Sequence, residues 1–375
     1  MYSKNKRKHS VIRDYAIGWT FGFIVFMAIR SIGTIEEGGV RFDTMEGILA
    51  ILVIGPFVGG LSGYSQYIFE ERFYRRMSAP KLLGVRAIFS ISFMVFLTFL
   101  TYSMSMFVFN QPFLDIIDFV TRPGSAVFYL YVFFLDFSLA VIRQVNLMLG
   151  PGTLLKFIRG DFYYPQEEDR IFMFLDLKSS TTIAEKLGHL RYSMLIQDCF
   201  EDLVVVNEYG AQIYQYVGDE AVLTWPVKRG LQHADCINAY FRFLERLEEK
   251  RDLYMARYGM VPEFKAGMNN GIVTVAEVGK YKKEIAYHGD TINTAARIQG
   301  QCNKFNCELL ISCTLQEALG PIPNYEVTKL GSLELKGKAR TVEIHSVRKK
   351  GSQKAATDRK HAAQIALEKA TAVNE

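Results

Sequence analysis

The chain has 375 residues, a length suited to two or three domains, and its formal net charge is only +5. Much of the basic excess stands beside apolar segments, where it can face anionic lipid, so the composition gives no reason to expect a nucleic-acid partner. The five cysteines are odd in number and all lie after residue 198, which argues against a disulfide framework and for reduced thiols in a cytosolic domain.

Four apolar segments occupy the first part of the chain, each near the ~20 residues that an α-helix needs to cross a bilayer. They cover about residues 15–33, 47–69, 87–109 and 126–148. Buried helices of a soluble protein would need polar residues every three or four positions, and the third segment offers only scattered serines and threonines. We therefore predict a membrane domain over residues 1–149 with four transmembrane helices.

Basic residues predict the orientation of these segments, because lysine and arginine are retained on the cytoplasmic side. The N-terminus and the second connection are basic, whereas the first and third connections are mostly acidic. We therefore predict a multi-pass protein of the cell membrane with both termini in the cytoplasm. The basic start and first span resemble a signal peptide, but no convincing cleavage site follows, so we expect a retained anchor.

Two features stand out within the predicted spans. Gly55, Gly59 and Gly63 recur every four residues and place bare backbone on one helix face, which suits close packing within one bundle or between subunits. Asp136 lies in the middle of the fourth span, where a charge is costly and usually has a partner or a function. Arg30 is a candidate partner. We predict that Asp136 belongs to a membrane site that senses a ligand, an ion or a proton, so an unidentified membrane regulator is an expected partner.

Residues 150–169 form the predicted linker to a soluble domain. Glycine and proline at 150–152 end the last span, and residues 153–159 have room for one or two helical turns before Gly160. This joint is too short for a coiled coil of three or more heptads. The tail over residues 349–375 is polar, with a helix predicted over 360–370, and we assign it no function.

The soluble domain begins with a strand-like run that ends at Asp176. Backbone N–H groups at a helix N-terminus attract phosphate, and a neighbouring carboxylate can hold the accompanying cation. A turn of residues 177–181 joins this run to the start of a helix. Taken alone, the turn is equally explained as an ordinary helix cap beside a surface aspartate. The residues that open the helix form the predicted nucleotide-binding turn: Leu177, Lys178, Ser179, Ser180 and Thr181.

A second carboxylate stands on a predicted hairpin. Residues 211–217 and 221–225 read as two strands joined at Gly218 and Asp219, and glycine suits the first central position of a tight turn. A solvated turn aspartate is the plain alternative, but Asp176 and Asp219 together can converge on a pair of cations. Hard oxygen ligands favour Mg²⁺ or Mn²⁺.

A third segment carries an amide and a guanidinium. Asn293 and Arg297 follow a turn at residues 287–291, and their spacing of four places them on one helix face. An amide can orient a sugar oxygen, and a guanidinium can neutralise charge that develops on a phosphoryl group. In isolation, an ordinary exposed polar pair, with Ile292 and Ala296 facing the core, is the better explanation of these two residues.

Taken in this order, the three segments and the late run Leu335-Lys336-Gly337-Lys338 resemble the catalytic domain of class III nucleotidyl cyclases, the adenylate and guanylate cyclase family. The resemblance covers about residues 171–347, and we place the catalytic domain at 170–348. It implies a ferredoxin-like α/β sheet with flanking helices. The predicted fold is therefore an α-helical four-span membrane domain followed by an α/β cyclase domain.

The resemblance implies roles for the candidate residues. Asp176 and Asp219, with the backbone carbonyl of Leu177, would bind two Mg²⁺ or Mn²⁺ ions per site, which activate the ribose 3′-hydroxyl and neutralise the triphosphate. Asn293 would orient the ribose and Arg297 would stabilise the α-phosphoryl transition state. Either Lys336 or Lys338 would hold the terminal phosphates.

The resemblance also implies a homodimer, because the metal aspartates of one subunit and the Asn and Arg of the other complete each site, and this chain has both halves. The positions that read the base in the family are Gln215 and Ala286, which leave the choice open, since a glutamine amide suits adenine or guanine and alanine cannot hydrogen-bond. We expect an adenylate cyclase that uses ATP. A guanylate cyclase is the second hypothesis and a non-catalytic receptor module the third.

Overall fold

The computed structural model describes residues 2–33, 45–72, 79–107, 116–121, 123–150, 152–333 and 341–351. The chain divides into two compact units, Met1–Met148 and Leu149–Glu375, and each is described by itself. The predicted helix at 360–370 lies outside the described residues.

Long helices dominate the N-terminal unit, and each coincides with one predicted apolar segment. They are α1 (Tyr2–Gly33), α2 (Met45–Arg72), α3 (Ala79–Phe107) and α5 (Pro123–Leu149), with a short α4 (Ile116–Thr121) between the last two. Within the described residues, two stretches are long and apolar enough to cross a membrane, Arg7–Ile29 in α1 and Val127–Leu149 in α5. Ala87–Leu100 of α3 is a shorter apolar stretch. The helical region is therefore confirmed with two candidate spans, and the four-span topology stays a prediction.

The glycine face of α2 packs against α1 of the same chain. A Cβ added to Gly59 would lie 2.6 Å from the Cα of Ala16, and one added to Gly55 would lie 2.8 Å from the Cα of Thr20. Side chains at these positions would therefore separate the two helices. Of the two uses that the sequence left open for this face, close packing inside one bundle is the one observed.

Asp136 is buried in the N-terminal unit, with 1% of its surface exposed. The Ser62 hydroxyl on α2 donates to Asp136 Oδ1 at 3.3 Å, and the Ser90 hydroxyl on α3 donates to Asp136 Oδ2 at 3.0 Å. The side chain of Arg30, the predicted partner, lies outside the described residues. Asp136 thus joins three helices through hydrogen bonds.

A second buried carboxylate lies near the C-terminal end of α2. Arg143 of α5 holds Glu70 with two hydrogen bonds of 2.9 and 3.1 Å, and Arg7 of α1 adds one of 2.9 Å. The Glu70 side chain is 1% exposed, so these charge-assisted bonds compensate for its desolvation.

The C-terminal unit opens with α6 (Thr153–Arg159), which ends at Gly160 in a left-handed conformation (φ 75°), as the sequence predicted. A mixed sheet follows, with strand order β2-β3-β1-β4-β6-β8-β7 and β5 paired to β4. Its strands are β1 (Gln166–Leu177), β2 (Gln212–Val217), β3 (Glu220–Pro226), β4 (Phe264–Val278), β5 (Glu284–His288), β6 (Leu309–Ser312), β7 (Tyr325–Leu333) and β8 (Val342–Lys349). The α-helices of this unit after α6 are α7 (Ser180–Asp202), α8 (Val227–Leu231), α9 (Asp235–Glu249), α10 (Arg251–Tyr258), α11 (Asp290–Gly300) and α12 (Cys313–Leu319).

The first four strands form the predicted ferredoxin-like core. The chain runs β1-α7-β2-β3-α9-β4, and β1 pairs antiparallel with both β3 and β4. Successive side chains of β1 point to opposite faces of the sheet. Met173, Leu175 and Leu177 enter the main core with α7 and α9, whereas Phe172 and Phe174 join a smaller cluster with Ala295 of α11. Asp176 therefore lies on the α11 face.

The cysteines are free thiols, as predicted. Four of them are buried, and Cys302 donates to the carbonyl of Ala266 at 3.4 Å. They serve as small core residues.

Candidate active site

The two predicted metal-binding aspartates, Asp176 and Asp219, lie at the same end of the sheet. Asp176 is the penultimate residue of β1, and its backbone pairs with Glu220, the first residue of β3. Asp219 precedes Glu220 in the turn between β2 and β3, so the antiparallel pairing brings the hairpin turn beside the end of β1. The predicted strand end and hairpin are confirmed.

The neighbouring carboxylate charges affect the pKa of Asp176 and of Glu220. Burial raises the pKa of Asp176, Lys265 opposes that shift, and the negative charge of Asp219 adds to it. Burial also raises the pKa of Glu220 to about 7, and Asp176 and Asp219 reinforce the shift. Asp176 and Glu220 thus lie in a partly buried setting where their negative charge is penalised.

Two partners of Asp176 were not identified from the sequence. The Lys265 ammonium lies 3.2 Å from Asp176 Oδ2, and Gln299 Nε2 donates to the same oxygen at 2.9 Å. Lys265 stands directly opposite Asp176 in the β1–β4 ladder, and Gln299 reaches it from the last turn of α11. Only the register of β4 and the packing of α11 reveal these contacts, so no sequence motif signals them.

The donor set fits divalent cations. Asp176, Asp219 and Glu220 carry carboxylates, which are the oxygen ligands that Mg²⁺ and Mn²⁺ prefer. The charges of neighbouring carboxylates add to the effect of burial in raising the pKa of Asp176 and of Glu220, so added positive charge would relieve this repulsion. Within the described ranges, no three acidic, histidine or cysteine side chains form a ready-made metal cluster. Mg²⁺ bound by one or two carboxylates usually shares substrate phosphates, which agrees with a site completed by a nucleotide.

The predicted nucleotide-binding turn lies beside these carboxylates. Ser179 adopts a left-handed conformation (φ 56°) and precedes α7, and its side chain makes no capping hydrogen bond. The Leu177 side chain is buried in the main core, so only its backbone can serve the site. The Lys178 ammonium pairs with Glu263 at 3.2 Å and with Glu308 at 3.1 Å. Ser180 is the first residue of α7, and Thr181 is exposed on its first turn.

Asn293 and Arg297 project from α11. Asn293 is exposed and Arg297 is partly buried. Within the part of the chain that the structure describes, neither side chain has a hydrogen-bond or ion-pair partner. The residue of α11 that reaches Asp176 is instead Gln299, so the structure does not join Asn293 and Arg297 to the carboxylates of their own chain.

The two predicted base-reading positions come from segments that contact each other. Gln215 is exposed on β2 after a register shift, and Ala286 is partly buried on β5. Their neighbours Tyr214 and Tyr287 have ring centroids 5.0 Å apart, and the Tyr287 N–H donates to the Tyr214 hydroxyl at 3.4 Å. Lys336 and Lys338 lie outside the described residues, so their phosphate role stays a prediction.

Comparison with known proteins identifies the family. Residues 162–349, half of the chain, match the model of the adenylate and guanylate cyclase catalytic domain, so the chain belongs to that family. Adenylate cyclase 2 of Rhizobium meliloti is 36% identical over 207 residues, which are 55% of this chain and 57% of that protein. Adenylate cyclase 1 of the same organism is 27% identical over 184 residues, which are 47% of this chain and 27% of that protein. The chain thus matches about half or less of these two relatives.

A solved structure supports the fold. The structure of a bacterial light-regulated adenylyl cyclase aligns with 66% of this chain and 73% of its own chain, with a TM-score of 0.52 and 16% identity. At this identity the likeness concerns the fold alone.

Proposed function

We propose that this protein is a membrane-bound adenylate cyclase, which converts ATP to cyclic AMP and pyrophosphate at two composite sites of a homodimer. The observation that carries the proposal is the convergence of Asp176 and Asp219 at the end of β1, where the pKa of Asp176 is raised by burial and by its neighbour's charge. An isolated surface aspartate at position 176 would show neither this burial nor the effect of a neighbouring carboxylate.

Asp176, Asp219 and the Leu177 carbonyl would hold two Mg²⁺ or Mn²⁺ ions. When bound, such cations lower the pKa of the ribose 3′-hydroxyl and neutralise the triphosphate. A cation at Asp176 would repel the ammonium of Lys265, which now lies 3.2 Å from that carboxylate. Lys265 would then be available to bind a phosphate oxygen, and the backbone N–H groups at the start of α7 would add donors.

The second half of each site would come from the other subunit. Asn293 and Arg297 have donors and acceptors to spare, as expected for groups that act across an interface. Asn293 would fix the ribose, and Arg297 would neutralise charge on the α-phosphoryl group. Exposed apolar side chains in this unit, including Leu190 (84% exposed), Met194, Tyr216 and Val217, supply surface for a dimer contact.

ATP is the proposed substrate. The similarity to adenylate cyclase 2 of Rhizobium meliloti favours ATP, and Gln215 and Ala286 are compatible with either base. GTP is the second candidate, because a glutamine amide can also donate to the guanine carbonyl. A non-catalytic module is disfavoured, since Asp176, Asp219 and the Asn293–Arg297 pair are all present.

The N-terminal unit would anchor the enzyme with four spans and keep the catalytic unit and both termini in the cytoplasm. Apolar side chains are exposed on all four long helices, for example Phe21 on α1 (66%), Val53 on α2 (73%), Ile88 on α3 (66%) and Phe134 on α5 (57%). Large apolar side chains on the outside of a helical unit are suited to contact with lipid. Asp136, with Ser62 and Ser90, would form the polar centre through which a membrane regulator acts on the enzyme.

The test uses the purified full chain with Mn²⁺ and either ATP or GTP. We expect cyclic AMP from ATP and little cyclic GMP from GTP. The reverse ratio would identify a guanylate cyclase. The absence of product from both ATP and GTP would refute the proposal that this protein is a cyclase. Asp176→Ala and Asp219→Ala are expected to abolish product, whereas Asp252→Ala, an exposed carboxylate on α10, is the matched control that keeps activity.

A further inference from the structure

The last turn of α11 rests directly on β4 beside the predicted metal ligand. A Cβ added to Gly267 would lie 2.1 Å from the backbone nitrogen of Gln299, so only glycine permits this approach. Gln299 is 7% exposed, and its Nε2 donates to Asp176 Oδ2 at 2.9 Å. A buried amide thus connects the helix to the carboxylate.

The first turn of α11 is fixed to the same strand. The Thr291 hydroxyl donates to the carbonyl of Ile272 at 2.8 Å, and the Asn269 amide donates to the carbonyl of Thr291 at 3.0 Å. The helix is therefore attached to β4 near both of its ends. Asn293 and Arg297 lie between the two anchors.

Gln299 and Lys265 reach the same oxygen of Asp176, but they respond differently to a cation. A bound cation repels the ammonium of Lys265, whereas the neutral amide of Gln299 can keep its hydrogen bond. The Gln299 hydrogen bond is made to Asp176 Oδ2. Among the described residues, no donor is hydrogen-bonded to Asp176 Oδ1. Neutral partners that orient a ligating carboxylate commonly set the affinity for the metal.

We propose that Gln299 is a positioning residue that holds Asp176 for its cation and couples, through α11, the two composite sites of the dimer. The inference rests on the proposed homodimer, in which Asp176 of one subunit serves one site while Asn293 and Arg297 of the same subunit serve the other. A shift of Asp176 at one site reaches the ribose and phosphoryl ligands of the second site through one hydrogen bond and one helix.

The first experiment measures Mn²⁺ binding to the full chain by electron paramagnetic resonance, with 3′-deoxy-ATP as a nucleotide that cannot cyclise. Gln299→Met keeps the side-chain length but loses the donor, and we expect Mn²⁺ binding about tenfold weaker. Gln301→Met makes the same chemical change two residues away and should leave binding unchanged. Gln299→Ser, which is polar but too short, should match Gln299→Met, and thermal unfolding of each variant verifies that it is folded.

Wild-type affinity in a folded Gln299→Met chain would overturn the positioning role. A wild-type chain that binds no Mn²⁺ and makes no product would instead refute the proposed function, so the two failures are distinguishable.

The second experiment isolates the coupling in mixed dimers with one live site. The first subunit carries Arg297→Ala and supplies the metal-binding aspartates of the one active site. The second subunit carries Asp219→Ala and supplies Asn293 and Arg297 of that site. The second subunit also keeps its own hydrogen bond between Gln299 and Asp176. Gln299→Met is then added to the second subunit, the one that carries Asp219→Ala. Neither of the two residues mutated in that subunit contributes to the active site that remains. We expect kcat to fall about fivefold with Mn²⁺ affinity at the live site unchanged. An unchanged kcat would overturn the coupling, and Gln301→Met in the same subunit is the control.

Discussion

Glu220 provides a quantitative test of the charge balance at the proposed metal site. Its pKa is raised to about 7 from 4.5, chiefly by burial and then by Asp176 and Asp219. That shift corresponds to about 3 kcal/mol at most. Because the side chain is partly exposed, solvent screening reduces the effect to on the order of 1 kcal/mol.

The sign of the effect follows from the raised pKa. A folded-state pKa above the unfolded value makes the stability contribution of Glu220 complete below pH 4.5, and the contribution is lost as the pH rises through about 7. Glu220→Gln, which cannot ionise, should therefore raise the free energy of unfolding of the metal-free chain by about 1 kcal/mol at pH 8 and change it little at pH 4.

The assay is urea unfolding of the full chain in detergent with EDTA, followed by the fluorescence of Trp225, which is fully buried in the C-terminal unit. A Trp19→Phe background removes the signal of the N-terminal unit. Saturating Mn²⁺ should reduce the gain, because the cation already neutralises the carboxylates. Glu185→Gln, at an exposed position on α7, should have little effect at either pH. A gain that is equal at pH 4 and pH 8, or a loss at pH 8, would refute the reasoning.

Three further predictions test other contacts. Gly267→Ala should lower the free energy of unfolding by about 1–3 kcal/mol, because the added methyl group would overlap the backbone of Gln299, and a urea titration with unchanged midpoint would contradict this. Glu70→Gln removes the charge that pairs with Arg143 and should lower the thermal unfolding temperature of the N-terminal unit in detergent. Asp136→Asn keeps a hydrogen-bonding side chain but loses the charge, and it should alter cyclic AMP formation in proteoliposomes without changing thermal stability. Unchanged activity and signal response would exclude Asp136 as a sensing residue.

Much of the fold could be predicted because it depends on local patterns. The apolar segments indicated the long helices, the run ending at Asp176 indicated β1, and the glycine at position 218 indicated the hairpin. The ordered motifs pointed to the family that the comparison identifies for residues 162–349. These signals need no knowledge of distant contacts.

The partners of the site depend on packing between segments far apart in the chain. Lys265 meets Asp176 only because β4 pairs with β1 in one register, and a shift of one residue would turn its side chain to the other face. Gln299 contacts Asp176 only because Gly267, which has no side chain, lets α11 pack closely against β4. The pairing of Asp136 with Ser62 and Ser90 likewise depends on three helices.

The sequence by itself determined which residue types the chemistry can use. Two carboxylates, an amide and a guanidinium occur in it in a fixed order and, for the last two, at helical spacing. The tertiary structure decided their electrostatic setting: burial and mutual repulsion raise the pKa of Asp176, while Lys265 and Gln299 share one of its oxygens. Burial and long-range pairing are properties of the folded chain, and for that reason Gln299 became a candidate for positioning Asp176 only once α11 was packed on the sheet.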